Sequence, residues 1–423
     1  MALHIKAEAN RCLLCKRPLC QEGCPIHTPI PTVIQLFKEN KLMEAGEMLF
    51  NNNPMSVVCS IVCDHGNQCM GHCIQGKKGN PIQFYEIEKF ISDAYLDRMD
   101  TATPAEKKEA VAVIGSGPAG MTVAIILAKA GYRVTIFEER NMVGGMLRYG
   151  IPDYRLPNSL LDRFRDKLLE MGVQIRTHVV LGGDLFMEDL FRDGYASVFI
   201  GTGAWRPARL GIQGESLANV HFGISYLANP GAHDLGKTVA VIGTGNVAMD
   251  VARTAYRHGA QRVMLFERRR SCRASDNERE YAELDGAEIF YEKGIQRITP
   301  EGPVFKHTLL DENNSIIGYE DKEELFKADS TIIAVSQGPK DKLVKTTKGL
   351  EANDRGWLLV DGKQMTTRPG VFAAGALLFM VSDILLVLNT FGTERSQRIK
   401  NTYISIYYAG QFLIALSLQY LTQ

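Results

Sequence analysis

A chain of 423 residues is long enough for roughly three domains, each with its own core, and its 48 Lys and Arg balance 48 Asp and Glu, so its formal net charge is zero. That balance leaves no broad basic field to attract nucleic acid or anionic lipid, and it favours small polar substrates and protein partners. Nine cysteines, an odd number, argue against a disulfide framework, and the opening stretch MALHIKAEANRCLLCKRPLCQEGCPIHTPI lacks the apolar core of a secretory signal, so a cytoplasmic location is expected.

Residues 1 to about 100 form a cysteine-rich segment with helical stretches such as PTVIQLFKENKLMEAGEMLF, whose apolar positions recur every three or four residues. Eight of the nine cysteines precede residue 74, and such crowding in a reducing compartment asks for metal. Cys12, Cys15, Cys20 and Cys24, with Pro25 after them, have two, four and three residues between them; Cys59, Cys63, Cys69 and Cys73 come later. Short loops of this kind supply thiolates to iron-sulfur cubanes. Two tetrahedral all-cysteine zinc sites would use the same atoms, although zinc ribbons pair two CxxC knuckles and only Cys12 with Cys15 makes one here. The stretch DRMDTATPAEKKEA, from Asp97 to Ala110, is polar and aperiodic and reads as a linker.

VAVIGSGPAGMTVAIILAKAGYRVTIFEER then runs strand, glycine turn, helix, strand and acid, a complete βαβ unit. Gly115 permits the tight turn, Gly117 lets the backbone meet a pyrophosphate and Gly120 lets helix and strand pack closely, while Glu138 ends the next strand where an acid grips a ribose hydroxyl. The same grammar returns in KTVAVIGTGNVAMDVARTAYRHGAQRVMLFERRR, with Gly243, Gly245, Asn246 and Val247 at the turn and Ala248 in place of the third glycine. Arg268 and Arg269 come after its second strand, where forked guanidinium groups take the 2′-phosphate of NADPH, with Arg273 in support. Glu267 pulls the other way, toward the free ribose hydroxyl of NADH. The strands in ASVFIGTGAWRP, TIIAVSQGP and GVFAAG read as returns of the two sheets. The predicted fold is therefore α/β: two Rossmann-like dinucleotide-binding domains, one inserted in the other, preceded by an α-helical cysteine-rich domain. The boundaries fall at 1–109 for the helical domain with its linker, 110–235 for the first part of the outer dinucleotide domain, 236–339 for the inner one and 340–423 for the remainder of the outer one.

The runs RCLLCKRPLCQEGCP and VVCSIVCDHGNQCMGHC resemble the N-terminal cluster domain shared by the glutamate synthase small subunit and dihydropyrimidine dehydrogenase, including its bacterial flavoprotein subunit. The resemblance implies two interleaved [4Fe-4S] clusters, one on Cys12, Cys15, Cys20 and Cys73 and the other on Cys24, Cys63 and Cys69. The family's eighth ligand lies fifteen residues after the last cysteine, and the matching position is Glu88 in PIQFYEIEKF; a carboxylate is a harder donor than a thiolate. Cys59 is not a ligand in this scheme, and Cys272 reads as an incidental thiol. VGGMLRYGIPDYRLP matches the family's flavin-contacting stretch, which implies FAD at the first site, lined by Ala119, Glu138, Gly145, Met146, Arg155 and Val180. The second site resembles the family's NADPH-binding half, with NADH as the alternative.

The resemblance stops at about residue 375. Family members place an Asp for the flavin ribityl after the strand of GVFAAG, whereas Ala376 comes after Gly375 here and the tail is atypical from 376. Its two apolar runs approach a membrane span in length, but Asp383 and Gln411 interrupt them, which disfavours insertion. The implied function is an oxidoreductase that moves electrons from NADPH through FAD and two clusters to a catalytic partner subunit, either glutamate-forming or pyrimidine-reducing. No catalytic acid or base is assigned, because the cofactors carry that chemistry. The rival reading is a catalytically impaired binding or assembly partner with an altered C-terminus.

Overall fold

A computed structural model describes residues 2–106 and 108–373; the atypical tail, with Ala376, Asp383 and Gln411, lies outside the described residues. The N-terminal segment holds α1 (Ala2–Asn10), α2 (Leu19–Glu22), α3 (Ile30–Lys38), α4 (Leu42–Asn52), α5 (Ser56–Val62) and α6 (Phe84–Arg98). Next come β1 (Ala110–Ile114), α7 (Pro118–Lys129), β2 (Arg133–Phe137), α8 (Met146–Tyr149), α9 (Asn158–Glu170), β3 (Gln174–Arg176), α10 (Met187–Arg192), β4 (Tyr195–Ile200) and β5 (Arg206–Pro207). After them stand β6 (Val220–Phe222), α11 (Gly223–Ala228), β7 (Thr238–Ile242), α12 (Asn246–Arg257), β8 (Arg262–Phe266), α13 (Asp276–Leu284) and β9 (Glu288–Phe290). The described chain ends with β10 (Lys293–Thr299), β11 (Gly302–Leu310), β12 (Ile316–Leu325), β13 (Ser330–Ile333), β14 (Gln337–Gly338), α14 (Lys342–Thr346) and β15 (Val371–Ala373). Among the described residues two compact units result, one of residues 2–145, Arg155–Gly203 and residues 341–373, the other of Met146–Tyr154 and Ala204–Lys340.

In the first unit the helical part closes around Ile5, Ala9, Ile30, Val33, Ile34, Phe37, Ala45, Leu49, Ile87 and Ile91, the residues that the three- and four-residue spacing puts on one face of each helix. The stretch that reads as continuously helical breaks between α3 and α4, where Asn40 takes φ 63°, a left-handed conformation that asparagine tolerates better than most residues. The buried stripe of α6 is Phe84, Ile87, Glu88, Ile91, Ser92, Tyr95 and Leu96, so a carboxyl and a hydroxyl enter the core with the hydrocarbons. The helix runs through to Arg98, and the polar linker starts only after it. Arg163 on α9 pairs with Asp93 and Asp97 of α6 at 2.6 and 2.7 Å, which ties the helical part to the sheet beyond the linker. That sheet is parallel, in the order β15-β4-β1-β2-β3. Its buried runs suit a sheet covered on both faces, and β15, from far along the chain, pairs Val371 with Val198.

The second unit repeats the plan, with a parallel sheet in the order β6-β13-β7-β8-β9. An antiparallel sheet β10-β11-β12 is inserted between β9 and β13. Phe266, Phe290, Phe305 and Phe326 fill the space beneath it, with the Phe266 and Phe305 ring centroids 4.2 Å apart. A two-stranded β5-β14 ribbon completes the unit. In each sheet the first strand of the βαβ repeat, β1 or β7, lies at the centre beside the strand where the order reverses. The crevice at such a switch point is where open α/β sheets bind ligands.

Candidate functional site

Each sheet carries a glycine loop at this crevice. In the first unit Gly115 follows β1 with φ 93° and Gly117 caps α7, whose first residue is Pro118; proline suits that position because its missing N–H has no helical partner to lose. The free amides of the first helical turn, with the helix dipole, make an anion site. Glu138, buried at 6% exposure, aims its carboxylate back at the loop. Its Oε2 accepts from the Ser116 amide at 2.8 Å and hydroxyl at 2.5 Å, and its Oε1 accepts from the Arg140 amide at 2.8 Å. Gly144 donates to the Ser116 carbonyl at 3.0 Å, and Gly145, at φ 51°, lies against Gly117. Ala119 and Gly120 are buried in α7. Val180 follows Val179, whose amide donates to the Glu138 carbonyl at 2.9 Å, and Arg155 is half-buried in the same unit. Met146 opens α8, which belongs to the second unit and packs there against α11.

The second unit holds the same device. Gly243 has φ 115°, Gly245 caps α12, and Glu267, at 5% exposure, accepts from the Thr244 hydroxyl at 2.7 Å and the Arg269 amide at 3.2 Å. Asn246 accepts from the Ser275 amide at 3.0 Å, clamping the loop that carries Arg273, and Val247 packs on the core. Arg273 lies 3.9 Å from the Glu267 carboxylate. Arg268 is exposed and has no ion-pair or hydrogen-bonding partner among the described residues. Arg270, the third of the arginine run, is committed to Glu292 at 3.0 Å and to the Leu310 and Asp311 carbonyls. Cys272 points its thiol at the Thr244 carbonyl, 3.2 Å away.

The cysteines fall into two groups. Cys12, Cys15, Cys20 and Cys73 line one small cavity with Cys69, walled by Ile30, Ile34, Ile82 and Phe84. Burial pushes the Cys20 thiol up to about 12, and Cys73, Cys12 and Cys15 push it the same way. Cys24, Cys59, Cys63 and Cys69 interact electrostatically with one another and with Glu88. Burial is again the chief cause of their raised pKa values, and it takes Cys59 to about 12. Glu88 is raised to about 7 by the same desolvation, opposed by a hydrogen bond from the Ser56 hydroxyl at 2.7 Å, which Ser92 backs at 3.0 Å. Asn53 donates to the Cys59 sulfur at 3.2 Å, so Cys59, outside the ligand set that the resemblance implies, stands among these donors. Its position was legible in part: Ser56, Cys59 and Cys63 recur at the three- and four-residue spacing of one helix face. Thiolates crowded in a dry interior persist only beside compensating positive charge. The cysteines thus gather in two groups of soft donors, the donor type that iron-sulfur clusters take, although among the described residues no three or more His, Cys, Asp or Glu side chains are arranged to hold a metal ion.

Comparison with known proteins accords with this geometry. Residues 109–405 match the pyridine nucleotide-disulphide oxidoreductase family, a match that runs on past Gly375, and residues 2–99 match the 4Fe-4S cluster domain II of dihydropyrimidine dehydrogenase. The NADPH-type glutamate synthase small chain of Halomonas elongata is 31% identical over 410 residues, covering 88% of this chain and 85% of its own. The Escherichia coli small chain is 27% identical over 433 residues, covering 94% and 91%. The beta subunit of a Geobacter sulfurreducens NADPH-Fe(3+) oxidoreductase is 33% identical over 317 residues, covering 71% of this chain and 45% of its own. Among solved structures, Mycobacterium tuberculosis FprA in complex with NADPH aligns with TM-score 0.54 at 18% identity over 71% of this chain and 90% of its own, a likeness of fold. Among the described residues no helix is long and apolar enough to cross a membrane. With paired dinucleotide crevices behind a helical cysteine domain, the chain belongs to the glutamate synthase small subunit and dihydropyrimidine dehydrogenase flavoprotein family, and it is an FAD- and NAD(P)H-dependent oxidoreductase with a 4Fe-4S cluster domain.

Proposed function

We propose that this chain is the cytoplasmic electron-input subunit of a larger enzyme: it takes electrons from NADPH and delivers them, by way of FAD and two [4Fe-4S] clusters, to a catalytic partner subunit. Bound flavin converts a two-electron hydride donor into single electrons, and that chemistry belongs to the cofactor. The chain's own residues bind and orient. The amides at the starts of α7 and α12 receive the pyrophosphates, Gly117 and Gly245 let the backbone approach, and Gly145, Arg155 and Val180 complete the flavin side. The observation that carries the reading is the pair of glycine loops, each braced by a buried glutamate, in one chain with two groups of cysteines.

The preference for NADPH over NADH rests on the residues just beyond each acid. Glu138 and Glu267 hold their loops in the same way, so the acids do not discriminate. Glu267, however, precedes Arg268 and Arg269, and the side chain of Arg268 is uncommitted. A free guanidinium at this point suits a 2′-phosphate bidentately. Two relatives are named as NADPH-type glutamate synthase small chains and one as the beta subunit of an NADPH-Fe(3+) oxidoreductase, which supports both the dinucleotide and a partner subunit.

Anaerobic purification, cluster reconstitution and absorption spectroscopy test the proposal. The expected product carries about eight irons and one flavin per chain and bleaches on addition of NADPH far faster than with NADH. Zinc in place of iron, or iron-loaded protein that holds no flavin and reduces no dye, would overturn it; the second result would favour the assembly-partner reading suggested by Ala376.

A further inference from the structure

The first cysteine group opens toward solvent. Cys12, Cys15, Cys20 and Cys73 are all half-buried, and around them stand three large apolar side chains, Leu13, Leu19 and Ile74, at 61%, 45% and 43% exposure. Scattered exposed leucines need no explanation, but these three line one cavity together with the four thiols. Exposed apolar side chains gathered around one cavity are a feature that interaction sites share. The same two loops carry exposed Lys16, Arg17, Lys77 and Lys78, none with an ion-pair partner among the described residues, and Glu22 is the single acid in residues 11–24 and 70–80. A chain of zero net charge thus concentrates unbalanced cations around this apolar centre.

The face is also held in shape. The Arg11 guanidinium reaches the Asn80 carbonyl at 2.7 Å and pairs with Glu8 at 2.7 Å, the Gln75 amide donates to the Arg11 carbonyl at 3.1 Å, and Glu8 accepts from the Gln83 amide at 2.8 Å. The two loops are zipped together before any partner arrives, which lowers the ordering cost of association.

We propose that the loops 11–20 and 73–80 form the docking face for the electron-accepting protein, and that this protein presents an acidic rim around an apolar centre. The inference rests on the proposed redox role of the cysteine groups. Electron transfer needs close approach, and at this face four half-buried thiols share a cavity with exposed apolar side chains. Charge selects the occupant, because like-charged rims repel while an acidic rim is steered in and registered by the four cations.

The test uses the full-length, reconstituted protein with NADPH as donor and three acceptors: benzyl viologen, an acidic plant-type [2Fe-2S] ferredoxin and a basic cytochrome c. Ferredoxin reduction is expected to slow as KCl rises, and Lys77→Glu with Lys78→Glu should lower its kcat/KM by about tenfold while dye reduction and iron content stay unchanged. The milder pair Lys16→Gln and Arg17→Gln should lower it less, in the same direction. The face is overturned if ferredoxin reduction is insensitive to salt and to these substitutions, or if cytochrome c is reduced faster than ferredoxin. It is equally overturned by self-association, or by co-sedimentation with phosphatidylglycerol vesicles, that the lysine substitutions abolish. Failure of the unsubstituted protein to reduce the dye is a different result: it removes the redox role itself and this face with it.

Discussion

Gly120 and Ala248 occupy the same place in the two βαβ repeats, yet one has no room for a methyl group and the other has one. A Cβ at Gly120 would run into the Gly115 carbonyl oxygen, with the carbonyl carbon at 3.0 Å and Val113 Cγ1 at 3.3 Å. Backbone cannot give as a flexible side chain can. Ala248, by contrast, packs fully buried in the core beneath α12. Gly120→Ala is therefore expected to destabilise the first unit by about 1–3 kcal/mol and to lower the flavin retained on purification. Ala248→Gly should cost about 1 kcal/mol through helix propensity and leave nucleotide binding intact. Urea unfolding and the flavin-to-protein absorbance ratio follow the two, and an equal loss of flavin in both would contradict the asymmetry. Glu88 shows what residue-level reading can reach. The resemblance alone singled it out in the sequence; that it is buried in the apolar stripe of α6 and meets Ser56 depends on helices packed from elsewhere.

Among the elements, α12 and α13 of the second unit are joined by Asp285, which accepts from Arg253 Nε at 3.0 Å and from Arg257 at 2.8 Å. Burial alone would raise the Asp285 pKa, but the hydrogen bonds from Arg257 and Arg253 outweigh it and hold the carboxyl below its usual range. A carboxylate with a depressed folded-state pKa contributes stability above its unfolded value, and that contribution is lost as pH falls through the folded value. Asp285→Asn should accordingly cost about 0.5–1 kcal/mol at pH 7, in keeping with a partly exposed pair. The difference from the unsubstituted protein should shrink and vanish as acid carries the solution below the ordinary aspartate range and through the lowered folded-state value. A cost that persists unchanged at acid pH would assign the effect to packing. The elements themselves were largely readable, since alternation, glycine turns and three- and four-residue spacing are local. The break at Asn40 was not, because a helical pattern on both sides masked a single left-handed residue.

At the scale of the molecule, the helical part of the first unit gathers donors that repel one another and are costly to bury when charged. Metal held by these donors would turn that liability into a cross-link between α5 and the loops on either side of it. Stripping iron with a chelator under reducing conditions should raise amide hydrogen exchange in α2 and α5 while leaving β1 and β7 protected. Uniform exchange before and after would mean that the helices hold without metal. The sheets depend on no such aid, because their strands bury continuous apolar runs on both faces.

Sequence alone determined what contiguous residues encode: the two glycine turns with their following acids, the helical faces and the concentration of thiols near the amino end. Cysteine spacing by itself left iron and zinc both open. Tertiary structure decided which strands complete which sheet, with β15 joining β4 and β6 joining β13. It also turned Glu267 inward to Thr244 and left Arg268 uncommitted, and it set Cys73 beside Cys20 and Cys24 beside Glu88. The physical reason is one of range. Backbone turns and periodic faces are settled within a few residues, whereas the neighbours of a buried thiol or carboxylate are chosen by chain segments that meet only when the core closes.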